Sequence, residues 1–174
     1  MDIIEYFFKE PNREFHVREI AKLTKKSPTT TSKYLNNLKK QSLLLCEKKL
    51  NYLLFKANTE NPLFRELKIN YNLKKLRESG LIDYLNKSFN YPKAIILFGS
   101  FRKGENIPGS DIDIVLITPV KKEIDCSKYE KYLGYKIQLF LNSHEDIERM
   151  KLKNKELLNN FINGIIIEGI WEIF

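Results

Sequence analysis

Leu97-Phe-Gly-Ser-Phe-Arg-Lys-Gly104, followed shortly by Gly109-Ser-Asp-Ile-Asp-Ile114, is the stretch on which the fold of the second half of this chain turns. Lys93-Ala-Ile-Ile-Leu-Phe98 is a short apolar run of β character that stops abruptly at Gly99-Ser100. Ten residues separate Ser100 from Asp111-Ile112-Asp113, which runs straight into Ile114-Val-Leu-Ile117. The pattern is Gly-Ser, a ten-residue spacer, then Asp-x-Asp, set between two predicted strands.

In an extended strand, side chains two residues apart share a face. Asp111 and Asp113 therefore present two carboxylates side by side, while Ile112, Ile114 and Leu116 face the opposite way, into a core. Two hard oxygen ligands at that spacing suit Mg²⁺, which prefers carboxylates together with substrate phosphates and retained water. Gly99 lets the backbone approach a phosphate closely. Ser100 adds a hydroxyl at the start of a predicted short helix, where free N–H groups favour anions. Arg102 and Lys103 follow within reach of the same phosphates, and Ser110 stands immediately before the first Asp. These parts make a cradle for a metal-bound triphosphate.

Upstream, residues 2–9 read as a short amphipathic helix closed by Pro11-Asn12, and Val17–Thr24 as a second helix. A third begins at Pro28 with Ser27 as N-cap, and Thr31, Leu35 and Leu38 form its inner stripe. Leu43–Glu47 and Tyr52–Lys56 read as two strands around a turn at Lys48–Asn51. Residues 62–89 predict one interrupted helix or two consecutive ones, broken near Ser79-Gly80.

The 174 residues carry 30 Lys and Arg against 22 Asp and Glu, a formal charge of +8. The excess is confined to the first half: residues 1–60 hold 12 basic against 7 acidic residues, residues 61–90 hold 6 against 3, and residues 91–174 hold 12 of each. A polyanionic partner is expected for the first half only. With 43% hydrophobic residues, global disorder is excluded. The apolar runs are too short to span a bilayer and no signal-peptide pattern opens the chain, so a soluble, cytoplasmic protein with no membrane partner is expected. Cys46 and Cys126 have no CxxC partner, and both read as structural.

The stretch from Val17 through Ser27–Leu38 to Leu43-Leu44 resembles the winged helix-turn-helix of bacterial and archaeal transcriptional regulators, with Ser42 where that family usually places Gly before the wing. The resemblance implies double-stranded DNA as partner. The helix from Pro28 would enter a major groove with Thr29, Thr30, Lys33 and Asn37, and Lys48 and Lys49 would meet the neighbouring backbone or minor groove. Such proteins commonly bind two half-sites, which makes a homodimer the expected form. The competing reading of these helices is a dimerisation or protein-docking module.

The Gly-Ser/Asp-x-Asp segment closely resembles the signature of the minimal nucleotidyltransferases of the polymerase-β-like superfamily, and the likeness covers most of residues 70–174. It implies that Gly99 and Ser100 help hold the phosphates of a nucleoside triphosphate, ATP being the expected one. It also implies that Asp111 and Asp113 bind two Mg²⁺ ions, and that a nucleotidyl group passes to a hydroxyl with release of pyrophosphate. With no tRNA- or antibiotic-recognition domain expected beyond the catalytic unit, those acceptors are disfavoured. Related stand-alone domains act as antitoxins that modify a tyrosine of a helical toxin, so such a protein acceptor is conceivable here.

The expected fold is therefore α+β. Residues 1–60 form a winged helix-turn-helix DNA-binding domain, 61–90 connecting helices, and 91–174 a small mixed-sheet nucleotidyltransferase domain. One departure stands out. Active members of the family place a third acid on a later strand; here that strand is Tyr135–Leu141 and the position carries Gln138, which has no negative charge and cannot accept a proton. Glu105, Glu123 and Asp125 are nearby acids with no spacing that assigns them. A regulator whose second domain only senses nucleotide is the alternative reading. Ser143 or Asn142 is expected to cap a helix running to Lys155, and Trp171 and Phe174 to pack against their domain.

Overall fold

A computed structural model describes residues 2–172, so Phe174 lies outside the described residues. The chain divides into two compact units, Met1–Tyr71 and Asn72–Phe174, with the division inside one helix. Among the described residues no helix is long and apolar enough to cross a membrane.

The first unit contains α1 (Ile3–Lys9), β1 (Phe15–His16), α2 (Val17–Thr24), α3 (Pro28–Lys40), β2 (Leu44–Lys49), β3 (Tyr52–Ala57) and the start of α4 (Pro62–Ser79). Its antiparallel sheet has the order β1-β3-β2. The two residues of β1 carry no alternation that a sequence pattern could reveal; pairing of Phe15 with Phe55 and His16 with Leu54 makes them a strand. The helices follow their local signals closely. Ser27 Oγ accepts the Thr30 N–H at 3.1 Å, Pro28 opens α3, and Thr31, Leu35 and Leu38 are its buried residues. His16 caps α2 through Nδ1, which accepts the Glu19 N–H at 3.2 Å. The hairpin is tighter than expected. Lys48 pairs with Leu53 and Lys49 with Tyr52, so the turn is Leu50-Asn51 and both lysines belong to β2. Ser42 adopts φ 58°, the left-handed conformation that explains the usual glycine there. Its carbonyl accepts the side-chain amides of Asn58 at 2.8 Å and Asn61 at 3.1 Å. The core gathers Ile3, Phe7, Phe15, Ile20, Leu35, Phe55 and Phe64, with the Phe7 and Phe15 rings edge-on at 5.1 Å.

The second unit contains the end of α4, α5 (Leu81–Ser88), β4 (Ala94–Phe98), α6 (Gly99–Lys103), β5 (Asp111–Ile117), α7 (Ser127–Leu133), β6 (Lys136–Asn142), α8 (His144–Lys153), α9 (Lys155–Ile162) and β7 (Ile165–Gly169). Its mixed sheet has the order β6-β5-β4-β7, with β5 and β6 parallel and the other pairs antiparallel. Both faces are covered. Ile95, Leu97, Ile112, Ile114 and Leu116 pack with α5 on one side, and Ile96, Phe98, Val115 and Ile117 pack with Ile147, Leu158 and Phe161 on the other. Half-buried Trp171 joins the second of these cores. The helix expected to run to Lys155 ends at Lys153. Asn154 Oδ1 accepts the Leu157 N–H at 3.2 Å and so starts α9 as a separate helix. At its other end α8 has a full capping box between Ser143 and Asp146.

Candidate active site

The two predicted carboxylates stand at the start of β5, the central strand beside both β4 and β6. Phe98 pairs with Asp113 across the antiparallel β4–β5 ladder, so β4 ends beside the second carboxylate and hands the chain directly to Gly99 and α6. On the other flank the parallel register aligns Asp111 with Lys136 and Asp113 with Gln138. Residues aligned in this way project to one face of the sheet. Asp111, Asp113, Lys136 and Gln138 therefore share the face on which Phe98 and Phe140 pack 5.2 Å apart.

Asp111 is exposed, whereas Asp113 is half-buried beside this aromatic cluster. Burial raises the pKa of the Asp113 carboxyl above the ordinary aspartate range, and the neighbouring Asp111 charge adds to the shift. Both effects disfavour a second negative charge at this place, and a cation would relieve both.

Gly99 is required twice over. Its φ is 70°, and a Cβ there would lie 2.1 Å from Asp113 Oδ2. The turn backbone is thus held against the carboxylate with no room for a side chain. Ser100 and Arg102 are half-buried and Lys103 is exposed on the same short helix. Arg102 Nε is buried with no acceptor among the described residues, a donor suited to an anionic oxygen. Ser110 Oγ accepts the Ile107 N–H at 2.9 Å and braces the loop that delivers Asp111.

A buried amide network anchors this region. Asn72 Nδ2 on α4 donates to the Phe101 carbonyl at 3.1 Å and to Asn106 Oδ1 at 2.9 Å, and Asn106 in turn hydrogen-bonds the Tyr135 phenol. Tyr135 also packs edge-on to Phe101 at 4.7 Å. The network ties α6, the 104–110 loop and the start of β6 together. Its members are separated by tens of residues, so only an isolated polar residue in a helix, Asn72, stood as a faint signal.

Asp125 accepts from Ser127 at the start of α7, and that bonding holds its carboxyl below the usual range. Glu123 lines a separate cleft with Cys126 and Leu141. Tyr129 stacks on Tyr84 at 5.0 Å, and Tyr132 is exposed on α7. Burial pushes the Cys126 thiol up, away from reactivity.

Among the described residues no group of three His, Cys, Asp or Glu side chains is placed to hold a metal ion. The available donors are the two β5 carboxylates, with the Gln138 amide aligned beside Asp113. That set fits Mg²⁺, which is bound through one or two carboxylates plus substrate phosphates, and it does not fit zinc.

In the first unit, Thr29, Thr30, Lys33 and Asn37 are all exposed on α3, away from its buried stripe. The Thr30 hydroxyl accepts from Ser27 Oγ at 2.8 Å, so it is shared with the cap. Lys48 is exposed, while Lys49 pairs with Glu14 at 2.7 Å.

β4 thus hands the chain to Gly99-Ser100 at the end of a small mixed sheet where Phe98 pairs with Asp113 of the Asp-x-Asp segment. The chain belongs to the nucleotidyltransferase domain family, whose profile matches residues 78–168. No curated protein matches the chain.

Proposed function

We propose that the second unit binds a nucleoside triphosphate with Mg²⁺, ATP being the expected donor, and transfers its nucleotidyl group to an acceptor hydroxyl. The first unit would be a winged-helix module that binds double-stranded DNA as a homodimer. The observation that supports the enzymatic reading is the approach of Gly99 to Asp113, where a Cβ would lie 2.1 Å from the carboxylate oxygen.

Asp111 and Asp113 would hold the metal, which when bound supplies positive charge against the donor phosphates. Gly99, Ser100, Arg102, Lys103 and Ser110 would hold the β- and γ-phosphates. The acceptor oxygen forms a bond to the α-phosphorus as the bond to the bridging oxygen breaks, and pyrophosphate departs on the opposite side. The hydroxyl proton must leave as that bond forms, and the Gln138 amide cannot take it. A protein acceptor such as a helical toxin is one candidate. The DNA reading rests on the order of three helices and a hairpin and on the exposed polar face of α3, with Lys48 and Lys49 on the hairpin.

Incubation with Mg²⁺, each of the four α-labelled triphosphates and a cell lysate tests the transfer. Label should reach an acceptor and disappear in Asp111→Ala plus Asp113→Ala; no incorporation, or incorporation unchanged in that double variant, removes the enzymatic reading. One observation favours a second reading. Gln138 aligned with Asp113 denies the site a third carboxylate, as expected of a DNA-binding regulator that senses nucleotide without turning it over. Mg²⁺-dependent nucleotide binding without transfer, together with nucleotide-dependent DNA affinity, would establish it.

A further inference from the structure

Two features on the β6 side of the carboxylate pair extend the scheme above. One is Lys136, exposed and aligned with Asp111, which makes no ion pair among the described residues. The other is an open cleft of about 560 Å³ lined by Ser110, Asp111, Glu130, Tyr135 and Lys136 together with Gly109 and Gly134.

The sheet order decides what this cleft faces. Gly99 and Ser100 follow β4 on one side of β5, whereas Lys136 and Gln138 lie on β6 on the other. In an in-line displacement the attacking and leaving oxygens occupy opposite sides of the phosphorus. With the pyrophosphate held on the Gly99–Ser100 side, the acceptor must come from the β6 side, across Lys136.

The charges there are uneven. Glu130 Oε1 already accepts the Ile137 N–H at 2.9 Å, and Asp111 faces the metal in the proposed scheme. The Glu130 carboxylate keeps its charge in that bond, and among the lining residues the Lys136 ammonium is the cation, the group suited to a phosphate. Gln138 adds a second argument, because the position beside Asp113 cannot receive the hydroxyl proton. A phosphate carried by the acceptor next to its own hydroxyl can receive it.

We propose that the part of the cleft lined by Tyr135 and Lys136, beside Asp111, is the acceptor site, and that it takes a hydroxyl compound bearing a phosphate group, held by Lys136, in preference to a protein side chain. The hydroxyl oxygen bonds to the α-phosphorus, its proton passes to the acceptor's own phosphate, and pyrophosphate leaves with the bond electrons. This inference rests on the nucleotidyltransferase reading of the same site.

The test uses the full-length protein with Mg²⁺ and a non-hydrolysable ATP analogue on the donor side. Calorimetry then compares glycerol 3-phosphate with glycerol, and adenosine 2′-monophosphate with adenosine; each phosphate probe carries a monoester dianion beside a free hydroxyl, and the pair distinguishes a small metabolite from a nucleotide end. Binding of at least one phosphate probe should exceed that of its unphosphorylated counterpart at least tenfold. Lys136→Ala should abolish that preference and Lys136→Arg retain it, with analogue affinity unchanged in both. The proposal is overturned if the analogue binds but neither phosphate probe is preferred. It also fails if Lys136→Ala leaves the preference intact or weakens the analogue equally, or if labelled ATP marks only protein. Failure of the analogue itself to bind is the separate result that removes the nucleotidyltransferase reading.

Discussion

The two sheets of this protein bury themselves differently. In the first unit, β2 and β3 cover one face with the phenylalanine-rich core and leave Leu45, Glu47, Lys49 and Tyr52 outside. In the second, β4 is buried along its whole length and β5 from Ile114 onward, with a core on each face. A sheet covered on both faces can bind a ligand only at its end, where β5 starts and β4 stops. The first unit has no such restriction, and its candidate surface is the outward side of α3. One unit therefore offers a broad solvated face and the other a site assembled by strand register.

The comparison can be broken at several levels, and the largest effects lie in the cores. Phe161→Ala removes a ring that packs on Phe98 at 4.9 Å and should destabilise the second unit by about 3–5 kcal/mol. Phe55→Ala should do the same to the first unit. Trp171, the only tryptophan, packs in the second unit, so its fluorescence in a denaturant titration should register the first substitution and not the second.

Gly99→Ala tests the sheet-end site. The new Cβ collides with Asp113, and a displacement of about 1 Å in such a site costs about 10²-fold in transfer. DNA retention should be unchanged, and equal loss of both activities would refute the division of labour. Lys33→Ala tests the other half: DNA affinity should fall and the slope of its salt dependence drop by about 1, with nucleotide binding unaltered.

Asp146 sharpens the comparison through pH. Lys121 at 2.6 Å and the Ser143 N–H hold its carboxyl well below the usual aspartate range. Because the folded-state value is lowered, its contribution of about 1 kcal/mol through the α8 cap is present above about pH 4 and fades as pH falls further. Wild type and Asp146→Ala should differ by that amount at neutral pH and converge in acid. The smallest effect is expected at Ser42→Gly, where relief of the left-handed φ should stabilise the first unit by about 0.5–1 kcal/mol, read from the denaturant midpoint.

Much of the architecture was legible because its causes are local. Ser27, Pro28 and the Thr31-Leu35-Leu38 stripe announce α3 within a dozen residues, and the apolar runs at Ala94 and Ile114 announce β4 and β5. The turn at residues 48–51 was read too wide because basic residues resemble loop residues until their cross-strand partners are known. The break at Asn154 was missed since an Asn inside a polar helix differs little from one that caps the next. Gln138 stands out in the sequence through the family resemblance, as the position where a third acid is usual, and its alignment with Asp113 is a matter of the parallel register. Lys136 went unremarked, because its meaning depends on lying beside Asp111.

By itself, then, the sequence determined the helices, the strand cores, the carboxylate pair and the confinement of the net basic excess to the first ninety residues. These follow from capping, periodicity and composition over short spans. Tertiary structure alone decided the β1–β3 pairing, the contact that forbids a side chain at Gly99, the Asn72-Asn106-Tyr135 network and the cleft beside Lys136. Each of these joins residues remote in the chain, and their proximity is set by strand order and register, which no local preference encodes.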